Sequence, residues 1–238
     1  MKKVKIVLII SLIVNLVLIS GGSLVLYKKG GFEFLKKQVS TATSNQEFPP
    51  YYLQKVSIYK TSPVKNVDVA FIGDSITDHG EWNELFPEKV VINRGISNDN
   101  TNGVLNRLDE IAEKKPKKIF ILIGINDLLY NTDANKIVSN YKRIVKGLKE
   151  QSPNSELYIQ SVLPVNNEIY GSSIKNEDVK SINSKLKIIA KNEDIPFIDL
   201  YSALSKNDQL EEKYTIDGIH LKGAGYEVWK KQIDEFLE

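Results

Sequence analysis

A three-layer α/β/α sandwich built on a parallel sheet of five strands is the fold this sequence predicts, and three observations carry it. Short β-branched runs alternate with longer stretches of helical period. Those runs are apolar throughout, as strands covered on both faces are. No segment repeats and none drops to low complexity. The 238 residues leave room for one ordinary domain with an appendage, and 42% hydrophobic with 26% charged residues is the composition of a globular chain able to bury a core.

The first segment stands apart from the sandwich. After Lys2, Lys3 and Lys5, residues Ile6 to Leu26 carry no charge and are interrupted only by Ser11, Asn15, Ser20, Gly21, Gly22 and Ser23. At about 1.5 Å per residue such a helix spans roughly 30 Å, the thickness of a bilayer's hydrocarbon core. Residues 1–29 therefore read as a transmembrane signal anchor. The body is expected outside the cytoplasm, since long following domains translocate largely regardless of the Lys residues beside the apolar run. The alternative is a cleaved signal peptide and a secreted product, with Ser20 and Gly22 as small residues at the cleavage site, although Leu24, Val25 and Leu26 carry the apolar run past it. Residues 30–50 read as a linker, polar from Gln38 onward and closing on Pro49 and Pro50, so that the folded domain spans 51–238.

Within the domain the strand candidates are Val67 to Ile72, Lys89 to Asn93, Lys118 to Ile123, Leu157 to Val162 and Pro196 to Leu200. Between them apolar residues three or four apart mark helices: Val104, Leu108 and Ile111; Ile137, Tyr141, Ile144 and Leu148; Ile182, Leu186 and Ile189; and Tyr226, Trp229, Ile233 and Phe236. All four stripes, Trp229 included, read as core packing rather than as ligand surfaces. Five strands so linked give a flavodoxin-like sheet. In such sheets ligands gather outside the carboxyl ends of the strands, and a functional site must map there.

Charge and cysteine content exclude several functions. Of the 32 Lys and Arg, seven lie in the first 37 residues beside a single acid, Glu33, leaving 25 bases against 29 acids in the remainder. A mildly acidic body without a basic stripe does not bind nucleic acid, which needs clustered cations on phosphates. The absence of Cys excludes disulfides, a thiol nucleophile, Cys-ligated zinc and a lipidated Cys.

The residues that carry chemistry fall at the predicted strand ends. After the first strand comes Gly73-Asp74-Ser75-Ile76-Thr77, after the second Asn93-Arg94-Gly95-Ile96-Ser97, and after the third Gly124-Ile125-Asn126-Asp127; before the last helix stands Asp217-Gly218-Ile219-His220. A Ser hydroxyl becomes a nucleophile when a base removes its proton, and His is the side chain suited to that near neutrality. Of the two His, His220 has Asp217 three residues earlier to orient its ring, and His79 has no such acid and is expected at the surface or rim. Acyl transfer also needs donors for the developing oxyanion, and the N–H groups of Ser75 and Gly95 with the side-chain amide of Asn126 would supply three. Taken singly, Gly95 reads as a turn glycine and Asn126 as a helix cap.

The set GDSIT, NRGIS, GIND and DGIH, in this order and spacing, resembles the SGNH hydrolases, also called GDSL-like lipases and esterases, over essentially all of residues 51–238. The resemblance implies the flavodoxin-like sandwich and hydrolysis of acetyl or short acyl esters through an acyl-enzyme, with neither metal nor other cofactor. It places the catalytic set on Ser75, Gly95, Asn126 and His220, with Asp217 as the triad acid. Asp74, Arg94 and Asp127 are candidates for bracing the site or touching substrate. Thr77 stands where the G-x-S-x-G elbow of α/β-hydrolases has its second Gly. The expected substrate is a small-molecule or polysaccharide ester, carbohydrate O-acetyl groups of the cell envelope first. Lysophospholipase or thioesterase action, a catalytically silent glycan-binding module, and a metallohydrolase using Asp74, Asp127, Asp217 and His220 are the alternatives, the last weakened by having no metal-type spacing.

Overall fold

The computed structural model describes residues 48–171 and 174–237, together with Ser11 and Asn15. The anchor expected at 1–29 and nearly all of the linker lie outside the described residues. Among the described residues no helix is long and apolar enough to cross a membrane. Contacts divide the chain between Phe48 and Pro49.

The second unit opens with a helix the sequence pattern did not reveal, α1 (Pro50–Thr61), started by a proline whose fixed φ suits a first helical turn. Five parallel strands follow: β1 (Val69–Gly73), β2 (Val91–Gly95), β3 (Lys118–Leu122), β4 (Glu156–Gln160) and β5 (Phe197–Ile198). Their order is β2-β1-β3-β4-β5, the doubly wound order expected from the alternation of strands and helices. Register places Phe71, Phe120 and Tyr158 side by side. Their rings stack at centroid distances of 5.4 Å and 4.5 Å, and Trp82 stacks on Phe71 at 3.9 Å with Trp229 edge-on to it at 4.8 Å. Ile72, Ile121 and Ile159 occupy the next positions of the same strands and face the other side. All six residues are buried, each contributing about 1.5–3 kcal/mol of transfer free energy.

The short α2 (Ser75–Asp78) and α3 (Trp82–Leu85) follow β1. The stripe through Val104 and Ile111 does not form one helix. It breaks into α4 (Thr101–Leu105) and α5 (Leu108–Ala112), because Arg107 leaves helical φ/ψ to pair with buried acids. The single turn α6 (Ile125–Leu129) follows β3, and α7 (Ala134–Gln151) packs against α4, α5 and the later α9 (Asn176–Asn192). Between β4 and α9 lies α8 (Asn167–Tyr170). The fifth strand is shorter than the expected Pro196 to Leu200, since Asp199 caps α10 (Leu200–Leu204) by accepting from Ser202 N–H at 3.0 Å. A small hairpin, β6 (Ser205–Lys206) with β7 (Gln209–Leu210), precedes α11 (Gly223–Ile233), which carries Tyr226 and Trp229 into the aromatic face.

Candidate active site

The carboxyl ends of β1, β2 and β3 carry the first three motifs, so the site follows from the sheet. At the end of β1 a Cβ on Gly73 would stand 2.1 Å from Thr77 Oγ1 and 2.4 Å from Leu122 O, so only glycine lets the chain turn there. Asp74 then caps α2 by accepting from Ile76 N–H at 3.0 Å, and Ser75 becomes the first residue of that helix. Two aromatic residues fix α2 from behind: Tyr226 Oη donates to Ile76 O at 2.7 Å and Trp82 Nε1 to Thr77 O at 2.9 Å.

His220 arrives from the other end of the chain on a loop that bonds to itself. Thr215 Oγ1 donates to His220 O and accepts from Gly218 N–H, both at 2.8 Å, while Asp217 Oδ1 accepts from the N–H groups of Ile219 and His220. Gly218, at φ +93°, has the left-handed backbone glycine permits, and its carbonyl accepts from Asn166 N–H at 2.7 Å. The result is a relay: His220 Nε2 lies 2.9 Å from Ser75 Oγ, and His220 Nδ1 lies 2.6 Å from Asp217 Oδ2. With the proton on Nδ1 the imidazole donates to Asp217 and accepts from the Ser hydroxyl. Partial burial pushes the Asp217 carboxyl upward, but the bonds from the His220 ring and from the two N–H groups outweigh it and hold the group below the usual carboxylate range.

His79 occupies the exposed rim expected of it, as the residue that closes α2, but nearer to the base than its sequence suggested. The two rings are 5.0 Å apart, and His79 Nε2 is 3.4 Å from Ser97 Oγ.

Of the three expected oxyanion donors, Ser75 N–H and Asn126 Nδ2 each keep a hydrogen without an acceptor among the described residues. The Ser75 N–H heads α2, where first-turn N–H groups lack a helical partner. Asn126 is buried in α6 after Gly124 at φ +136°, and its Nδ2 donates one of its two hydrogens to Asp99 O at 2.8 Å. The third expectation, Gly95, is corrected by the structure. Its N–H donates to Asn93 Oδ1 at 2.8 Å, and its carbonyl accepts from Tyr59 Oη at 2.5 Å. A Cβ at this glycine would lie 2.1 Å from Asp78 N, so the residue is glycine because α2 presses against β2 there.

Asp74, Arg94 and Asp127 are all buried, and each braces the framework. Burial raises the Asp74 carboxyl to about 7, with the charges of Asp99 and Asp127 adding to the push. Asp127 accepts from Thr101 N–H at 2.9 Å and Oγ1 at 2.6 Å, which fixes the start of α4; burial raises its carboxyl too. Arg94 donates to Glu110 at 3.0 Å and lies 4.3 Å over the Tyr59 ring, away from the relay. Of the candidate metal ligands, Asp127 is bonded to Thr101 and Asp217 to His220, while Asp74 uses one oxygen on Ile76 N–H and its other oxygen is buried without a partner among the described residues.

Sequence reasoning missed four further supports. Asn93 Nδ2 donates to the carbonyls of Thr77, Asp78 and Gly80, stitching β2 to the turn after the nucleophile. Asp78 accepts from Lys55 Nζ at 2.6 Å, Tyr51 Oη at 2.8 Å, and the N–H and Oγ of Ser97; burial opposes these bonds, which still hold its carboxyl below the ordinary value. Arg107, fully buried, pairs with Asp99 at 2.9 Å and donates to Arg94 O at 2.8 Å and Gly73 O at 3.3 Å. Burial lifts the Asp99 carboxyl to about 6 against the pull of that guanidinium. Asn93, Asp78 and Asp99 lie on or shortly after a strand in the sequence, whereas Arg107, between α4 and α5, carried no such signal.

A family model described as the GDSL-like lipase/acylhydrolase family matches residues 71–228. Platelet-activating factor acetylhydrolase IB subunit alpha2 of Rattus norvegicus is 26% identical over 181 residues, covering 73% of this chain and 77% of the rat protein. A solved structure from Streptococcus pneumonia, described as that of a platelet activating factor, superposes with a TM-score of 0.74 at 29% identity, covering 86% of this chain and 99% of the other. A GDSL-like lipase from Bacteroides thetaiotaomicron gives a TM-score of 0.68 at 26% identity, covering 78% and 96%. With the family model running from inside the first strand into the last helix, the chain belongs to the GDSL-like lipase/acylhydrolase family and is a carboxylic ester hydrolase.

Proposed function

We propose that this hydrolase removes acetyl or other short acyl groups from carbohydrate esters at the cell envelope, by way of an acyl-enzyme on Ser75. The observation that carries the chemistry is the relay from Ser75 Oγ through His220 to Asp217. His220 Nε2 takes the hydroxyl proton as Oγ attacks the ester carbonyl, and the oxygen's negative charge is met by N–H donors at the ends of β1 and β3. When the C–O bond breaks, His220 returns the proton to the departing alcohol, leaving the acyl group on Ser75. Water then repeats the sequence and frees the acid. Asp217, held ionised, keeps the imidazole in the required tautomer and steadies its positive charge.

Support for a short acyl group comes from the rat relative, named as an acetylhydrolase. Support for an extracytoplasmic, membrane-anchored location is the uncharged apolar run of residues 6–26 alone. A fluorophosphonate should label Ser75 stoichiometrically, and the soluble domain should release acetate from O-acetylated glycans faster than it releases long fatty acids. Preference for fatty acids would establish the lipolytic reading. That reading has one observation in its favour, the exposed Ile169 and Ile216 flanking the His220 loop. Failure of protease to remove the domain from intact cells would refute the external location.

A further inference from the structure

We propose that His79 is a substrate-contact residue on the alcohol side of the ester: its Nδ1 accepts a hydrogen bond from a hydroxyl beside the esterified one, so that the site favours monoacylated 1,2-diols of the sugar class. The inference rests on the serine-esterase reading and deepens it by naming the alcohol. His79 closes α2, the helix that Ser75 opens, and its N–H donates to Ser75 O at 3.0 Å. The ring therefore stands one turn from the nucleophile, on the same element. Its centroid lies 5.0 Å from that of His220, and the residue is exposed. Ester cleavage by a Ser, His and Asp relay needs no second imidazole, so this one is free for another task.

The bonds around the ring decide which nitrogen is free. Asp78, ionised and able only to accept, takes the Ser97 hydroxyl hydrogen at 2.9 Å. Ser97 Oγ therefore meets His79 Nε2, 3.4 Å away, as an acceptor, and the ring proton belongs on Nε2. The Nδ1 lone pair is left without a partner among the described residues, on an exposed side chain. The reaction then sets the direction. As the carbonyl oxygen turns toward its N–H donors, the departing oxygen must face His220 Nε2 to recover its proton. The alcohol's carbons lead away from His220 toward the rim, where the neighbouring ring is that of His79. In a 1,2-diol the second hydroxyl lies roughly 3 Å from the departing oxygen, about one hydrogen-bond length further on. Rings 5.0 Å apart can thus meet one oxygen each. A simple alkyl alcohol brings no donor to Nδ1.

The test compares 2-hydroxyethyl acetate with propyl acetate, which differ by a hydroxyl for a methyl, in the full chain. His79→Phe keeps a flat ring without an acceptor and should cut the preference for the hydroxylated ester, read as the ratio of kcat/KM values, by about threefold or more. The intrinsic reactivities of the two esters cancel, because the readout is the change in their ratio between two enzymes. His79→Asn, whose amide oxygen stands near the place of Nδ1, should restore most of the preference, and no recovery would overturn the acceptor role. A ratio within about twofold of native in folded His79→Phe, whatever the change in rate, would overturn the assignment. Should that variant fail to fold, His79→Ala carries the same expectation. An O-acetylated methyl pyranoside and glycerol monoacetate separate the two sources of a 1,2-diol. His79→Phe should cost the pyranoside at least as much as the glycerol ester, and a loss confined to the glycerol ester would overturn the sugar assignment. A native chain that hydrolyses no acetate ester and takes up no fluorophosphonate would sink the serine-esterase reading instead, so the two failures are distinguishable.

Discussion

Three side chains, Ser75, His220 and Asp217, hold the reacting proton's path, and substitutions at the nucleophile and at the amide of Asn126 should separate by role. Ser75→Ala should abolish turnover with the melting temperature unchanged, because its hydroxyl bonds only toward His220. Asn126→Ala should lower kcat by roughly 10²- to 10³-fold, and should also loosen the turn at Asp99, whose carbonyl would lose its donor. Unchanged steady-state kinetics in either variant would contradict the roles. These residues were legible in the sequence because ester chemistry demands a nucleophile, a base, an orienting acid and an amide, and the nucleophile and amide stood after strands while the acid and base stood together before the last helix. Gly95 was misread for an equally specific reason. Whether its N–H is free depends on the Asn93 side chain folding back along its own strand, which spacing does not encode.

Among the elements, strand positions were legible to within about two residues, since continuous apolar runs signal doubly covered strands. What escaped was decided by contacts distant in sequence. The helix α1 has no apolar stripe: its buried residues are Tyr52 and Tyr59, whose hydroxyls donate to Gly103 O at 2.7 Å and Gly95 O. Tyr59→Phe should therefore cost about 1 kcal/mol in chemical denaturation, the usual net worth of one such bond. No change would show that this tyrosine acts through its ring alone. The break between α4 and α5 belongs to Arg107, which sits against Asp99 and Glu110 with no solvent access. Arg107→Met leaves those acids buried without their cation and should destabilise by about 3–5 kcal/mol. A smaller loss would mean that the raised carboxyls simply take up protons.

Across the whole molecule, the buried carboxyls set how stability varies with pH. Asp74 titrates near 7 and Asp99 near 6 in the folded state, with Asp127 also raised, whereas the unfolded chain loses these protons near 4. Their contribution is fully present below the unfolded value and is lost as pH rises through the folded ones, so the melting temperature should fall between about pH 4 and pH 7. Asp78 and Asp217 act oppositely, contributing above their unfolded values and losing that contribution only as acidity drives protons onto their lowered sites. Asp74→Asn, which keeps the acceptor for Ile76 N–H, should match the native chain near pH 4 and be the more stable of the two at pH 8. Parallel thermal profiles for the two proteins would show that Asp74 stays charged throughout.

The bond between His220 and Ser75 joins residues 145 positions apart. A ribosome therefore builds the hydroxyl long before it builds the base. A nascent or prematurely terminated polypeptide that stops short of position 220 holds an inert serine, so cleavage of esters begins only once the closing helix has been made and docked, and cannot damage acylated material while the enzyme is still being synthesised.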